Sequence, residues 1–135
     1  MLHWATWYIG KPWRSGADGP NAYDCWGLVR AVLRDRAGID LPAILHGVDD
    51  HREIIADFAG HAELRNWIAV DGPRRDLDAL LMAQARHPVH VGIWIAADHG
   101  RVLHAPRPMV VAQDIVSLGR HGYRVTATYR HKALV

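Results

Sequence analysis

A chain of 135 residues with one cysteine has no intrachain disulfide and no cysteine-built zinc site. No HExxH or CxxC pattern occurs either. Ten histidines are many, but His87 and His90 are separated by Pro88 in a strand-like segment, so no metal and no cofactor is expected. His3, His46, His51, His61, His99, His121 and His131 are read as surface or packing residues. No apolar run approaches the about 18 residues of a membrane span. Residues 1–10 also lack the cationic and then apolar blocks of a secretion signal, so the chain is expected to be cytoplasmic when made and to need a carrier to leave the cell. The 16 Lys and Arg are scattered, with only Arg74 and Arg75 adjacent, and the net charge is +2. That pattern excludes the cationic stripe of a nucleic-acid binder. There is no internal repeat, low-complexity tract or linker, and a chain of this length buries about two thirds of its unfolded surface. One domain over 1–135 is the expectation.

What is present begins with a stretch rich in Trp, Gly and Pro over 4–20, read as a shaped loop. Asp24 can then cap a helix in which Trp26, Val29, Val32 and Leu33 fall on one face, with Gly38 as its stop. The cysteine, Cys25, stands at the start of that helix. Unpaired N–H groups and the positive end of the helix dipole favour thiolate there, and thiolate is the attacking species. A second helical stretch is expected at 50–58 and a weaker one at 62–67. Short apolar runs follow at 79–82, 89–97, 102–105, 109–113 and 123–129, read as four or five strands. Helices followed by strands predict an α+β fold.

Two of those strands carry one histidine each, His90 and His104, and Asp98-His99-Gly100 between them reads as a tight hairpin turn. A turn centred at 98–99 pairs His104 with Ile93 and brings the histidines near one another. Thiol proteolysis needs a thiolate, an imidazole that takes and returns the proton, and a polar group that orients the imidazole. Cys25, His90 and His104 can fill those posts in that order. Of the six tryptophans, Trp67 and Trp94 sit in apolar runs and are expected in the core, whereas Trp4, Trp7 and Trp13 are better placed to line a cleft.

Gly10-Lys11-Pro12-Trp13 with Gly16, Tyr23-Asp24-Cys25-Trp26-Gly27-Leu28-Val29, His90-Val91-Gly92-Ile93-Trp94-Ile95 and Arg101-Val102-Leu103-His104-Ala105 together resemble the NlpC-type cell-wall cysteine peptidases. Asp24 to Arg30 followed by Gly38-Ile39-Asp40-Leu41-Pro42 is similar to the form found in phage tails and gene transfer agents. The resemblance implies a papain-like fold, with the nucleophile helix packed on a sheet of four to six antiparallel strands. It implies Cys25 as nucleophile, His90 as general base and acid, and His104 as orienter. It also implies peptidoglycan stem peptides as substrate, cut at the amide between D-glutamate and the diamino acid, with tail proteins as partners and delivery to the wall by a particle. Asp24 corresponds to an acidic residue that contacts the substrate's free amino group, and Tyr23, Trp13 and Trp26 fall among substrate-binding positions. Trp13 stands where the family commonly has a Tyr, and Trp26 where it commonly has a Ser, which predicts an altered subsite. Cys25 and His90 are more widely spaced than is usual, and the excess is placed at 50–67. A tail component without turnover, and a thiol acyltransferase or amidase on another substrate, are the alternatives.

Overall fold

The computed structural model describes residues 3–43, 65–84 and 87–135. The expected helix at 50–58, and residues 62–64 of the weaker one, lie outside them.

Helix α1 is Cys25–Ala37, and its boundaries follow from its caps. Asp24 is extended and its Oδ1 accepts the Gly27 N–H at 2.7 Å, while Gly38 adopts a left-handed φ of 67° and closes the last turn onto the Arg34 carbonyl. Arg34 and Arg36 in the last turn complement the negative end of the dipole. Trp26, Leu28, Val29, Ala31, Val32 and Leu33 are buried beneath the helix.

Among the described residues six strands form one sheet: β1 Trp67–Ala69, β2 Ala79–Gln84, β3 His87–Ile95, β4 Arg101–His104, β5 Val111–Gln113 and β6 Tyr123–His131. Their order is β1-β6-β2-β3-β4-β5, and every neighbouring pair is antiparallel. This is the expected α+β architecture, with α1 packed on the sheet. Val91, Ile93, Ile95 and Leu103 join the core with α1, whereas Leu80, Met82 and Val102 form a smaller cluster with Leu118. Leu118 belongs to a short helix, α2 Ile115–Arg120, which the sequence reading did not include. Its start is capped by Asp114, whose Oδ1 accepts the Ser117 N–H at 2.7 Å. Trp67 is buried as expected, but in strand β1 rather than at the end of a helix. Trp94 is only half-buried, with Arg74 over its ring and Gly100 packed against it.

The hairpin between β3 and β4 corrects the expected register. Asp98 and His99 have φ of 56° and 66°, and Gly100 N–H bonds the Ala97 carbonyl, so the turn is centred where the sequence placed it. One extra loop residue on the β3 side, Ala96, gives its N–H to Asp76 Oδ1 instead of to the ladder. The ladder therefore pairs Gly92, not Ile93, with His104. The slip matters because neighbouring residues of a strand face opposite ways. Paired with Gly92, His104 lies on the same face as His90; paired with Ile93 it would have pointed away.

The loop before α1 is fastened on both sides. The Gly10 N–H bonds the Val110 carbonyl, the Val110 N–H bonds the Lys11 carbonyl, and the Trp13 N–H bonds the Pro108 carbonyl. The Asp24 N–H bonds the Ala17 carbonyl, and an added Cβ at Gly27 would run into that same carbonyl. Across the sheet, the fully buried Asp78 carboxylate is held by the Arg130 guanidinium through two 2.8 Å bonds, and by the Arg75 N–H at 2.9 Å. That fork ties the start of β2 to β6.

Candidate active site

Helix α1 presents Cys25 at its first position, and β3 and β4 present the two histidines. His90 Nε2 lies 2.8 Å from His104 Nδ1, with the rings nearly perpendicular. His104 is fully buried and His90 is 5% exposed. Gly92 makes room for the pair, since a Cβ there would stand 3.0 Å from His104 Cβ. Tyr123, the first residue of β6, lies tilted over the His90 ring at 5.1 Å and edge-on to the His104 ring at 5.4 Å.

The thiol lies beside β3 where the pairing of that strand with β4 ends. β4 ends its pairing with β3 at Gly92 and His104, so Val91 has no ladder partner on that side. The Val91 N–H turns to the Cys25 thiol instead. The thiol also lies close enough to Tyr123 to disfavour ionisation of its hydroxyl, an effect secondary to burial. A residue on the helix side thus sits beside the residue next to His90 and near the ring tilted over it.

Cys25 is completely buried. Its thiol is pushed up to about 12, first by burial and then by the neighbouring Asp24 charge, against the opposing pull of the Val91, Trp26 and Cys25 N–H groups. The helix start alone therefore does not produce a resting thiolate. His104 is pushed down to about 4 by burial, opposed by its bond to Gln113, so it is neutral across the physiological range. Beyond it the chain continues: His104 Nε2 lies 2.6 Å from Gln113 Oε1.

A groove of about 280 Å³ opens over His90, lined by Trp13, Gln84, Ala105, Pro106, Arg107 and Tyr123. Arg107 lies 4.0 Å over the Trp13 ring. Trp13 is thus the one of the three cleft tryptophans that lines this groove. Trp7 is 61% exposed with Lys11 over its ring, and Trp4 packs on Tyr8 under Arg36.

Two expected binding residues are placed elsewhere. Trp26 is 3% exposed and gives its indole N–H to the Pro42 carbonyl, because the helical face that carries it is the core face. Tyr23 is 1% exposed, packed edge-on against Tyr8 and close under Gly19. Both are packing residues. Asp24 borders the site, but its two oxygens already accept the Gly27 and Gly16 N–H groups at 2.7 Å each. Gln113, Gln84 and Tyr123 went unrecognised in the sequence. Tyr123 and Gln113 carried a signal only as the first and last residues of expected strands.

A family model, the NlpC/P60 family, matches residues 10–129. No individual curated protein gives a significant match.

Proposed function

Because the chain belongs to the NlpC/P60 family, whose members are in general cysteine peptidases or amidases of the cell wall, we propose that it is an endopeptidase hydrolysing the D-glutamyl to diamino-acid amide of peptidoglycan stem peptides. The observation that carries this reading is the buried His90–His104 pair, bonded at 2.8 Å, with His90 lining a groove and the neighbouring Val91 N–H bonded to the Cys25 thiol. An imidazole aligned by a second, neutral imidazole is placed to act as a general base.

In the resting state the thiol holds its proton. His90 accepts that proton as Cys25 Sγ attacks the scissile carbonyl carbon, and the tetrahedral oxyanion forms at the start of α1. The Cys25 N–H is at the first helical position, where amides point out of the helix, and serves as an oxyanion donor. Collapse breaks the C–N bond, and His90 returns its proton to the departing amine. Water, deprotonated by His90, then cleaves the thioester and releases the acyl product and the thiol. His104 stays neutral throughout and orients His90. Trp13, with Arg107 on its face, forms one wall of the substrate groove. Asp24 receives the free amino group of the stem peptide while it caps α1.

Delivery by a phage tail or gene-transfer particle is part of the proposal, supported by the likeness of Asp24 to Arg30 and Gly38 to Pro42 to that form of the family. Failure of the chain to co-purify with assembled particles would remove this part. One observation favours a second reading, a tail component without turnover: a fully buried thiol pushed up to about 12 is a poor nucleophile.

The deciding experiment incubates the protein and Cys25→Ala with muropeptides bearing free N-terminal alanine and follows products by mass spectrometry. Cleavage between D-glutamate and the diamino acid, abolished in the variant, supports the peptidase. Intact muropeptide together with a thiol that iodoacetamide never modifies supports the structural component. Acylated Cys25 without release of product supports a transferase.

A further inference from the structure

We propose that Gln113 is a positioning residue for the histidine pair, fixing the proton of His104 on Nε2 so that His90 keeps Nδ1 as its basic nitrogen. The consequence for turnover rests on the peptidase reading, but the proton arrangement does not.

A neutral imidazole has one N–H and one lone pair, so the partner of one nitrogen dictates the role of the other. His104 is fully buried, and protein groups must decide its tautomer. Its Nε2 lies 2.6 Å from Gln113 Oε1, an oxygen that can only accept, which puts the proton on Nε2 and the lone pair on Nδ1. That lone pair lies 2.8 Å from His90 Nε2, which must then donate, and His90 Nδ1 is left unprotonated. Turned end over end, the carboxamide would give an N–H to His104 Nε2. His104 would then donate from Nδ1, and His90 would carry its proton on Nδ1. Only the first arrangement contains a base.

The carboxamide is held from behind. Val102 pairs with Gln113 in the β4–β5 ladder, and the capped turn at Asp114 follows immediately. Its Nε2 lies 3.3 Å from Ser117 Oγ, which accepts its N–H while Oε1 faces His104. Ser117 lies within α2 and His121 closes it, and the His121 carbonyl accepts from Gln84, a residue of the groove wall. The downward shift of His104 agrees with this, because the ring stays neutral and its tautomer is the property that needs fixing.

The test is a long-range ¹H–¹⁵N spectrum of protein labelled at histidine nitrogen, read beside steady-state hydrolysis of stem peptide. In the wild type, His104 and His90 are each expected to show a protonated Nε2 and an unprotonated Nδ1. Gln113→Glu keeps an acceptor at the same position and should keep that pattern. Gln113→Met removes the acceptor and should mix or invert the His104 tautomers, lowering kcat by about tenfold or more while KM changes by less than about twofold, since proton transfer is affected and groove contacts are not. A wild-type His104 protonated on Nδ1 overturns the proposal. So does a Gln113→Met spectrum identical to that of the wild type, or Gln113→Glu behaving as Gln113→Met in kcat. If Gln113→Met does not fold, the wild-type and Gln113→Glu spectra decide. If no form cleaves the peptide, the peptidase reading fails, and the spectra still decide the role of Gln113.

Discussion

Gly92→Ala should damage the site more than the fold. A Cβ at residue 92 would stand 2.7 Å from Val102 Cγ1 and 3.0 Å from both His104 Cβ and the Leu103 carbonyl oxygen. Ordinary carbon contacts lie at about 3.5–4.0 Å, so the new methyl overlaps three neighbours by about 0.5–1 Å. Two of those are fixed, one being backbone and the other the root of a fully buried imidazole. Overpacking of this kind costs about 1–3 kcal/mol, and replacing glycine inside a strand returns about 0.5–1 kcal/mol. The net loss of about 1–2 kcal/mol corresponds to a fall in Tm of roughly 3–8 °C for a chain of this size. The strand can relax only by moving β4, and His104 is held between bonds of 2.8 Å and 2.6 Å. A displacement of about half an ångström breaks one of them. Misalignment on that scale lowers turnover by about 10–100-fold. Thermal melts by circular dichroism and peptide hydrolysis well below Tm give the two readouts, with Gly119→Ala as control, since a Cβ there meets nothing within 4 Å. A Gly92→Ala protein with wild-type Tm and wild-type turnover would refute the argument that this glycine makes room for the pair.

Three further outcomes are expected. His104 is held near 4 in the fold against 6.5 when exposed, so the unfolded chain binds the extra proton between those values. The stabilising contribution is therefore complete above pH 6.5 and lost on acidification toward pH 4, by about 3 kcal/mol. Urea titrations at pH 7 and pH 4 should show a smaller drop for His104→Asn than for the wild type, and equal drops would contradict this. Arg130→Met strands the buried Asp78 carboxylate and should cost about 3–5 kcal/mol in the same assay, with much of it recovered by the double change Asp78→Leu and Arg130→Met. With its thiol near 12, Cys25 holds about one part in 10⁴ as thiolate at pH 8, so the resting protein should react with iodoacetamide far more slowly than free cysteine, as followed by intact mass. Rapid labelling would show that the thiol is not enclosed.

Residues whose role is local were legible. Asp24 as cap, Gly38 as stop and Asp98-His99 as turn centre act on their own neighbours in the chain, and each is found there. The faces of the sheet were harder, because one extra loop residue, Ala96, changes which side chains share a face, and its N–H is drawn off by Asp76, twenty residues away. Trp26 and Tyr23 were placed in the substrate site by the family resemblance alone. A helix turns about 100° per residue, so the neighbour of a residue beside β3 is carried into the core. The role of Gln113 was invisible for a different reason. A glutamine at the end of a three-residue strand has no periodicity to mark it, and its partner His104 is reached only through the β4–β5 pairing.

The burial of Cys25 and the neutrality of His104 share one cause, which bears on how such a site can work. Both groups are driven toward their uncharged forms by burial. A resting thiolate would place a charge where burial opposes it. Under the proposed peptidase reading, the proton then leaves sulfur as sulfur meets carbon, and negative charge passes to the substrate oxygen at the start of α1. For that route His90 must already present a lone pair before substrate arrives, which the tautomer of neutral His104 decides. That requirement gives the His90–His104–Gln113 order its functional weight, and it makes the tautomer of a single buried imidazole the variable on which turnover depends.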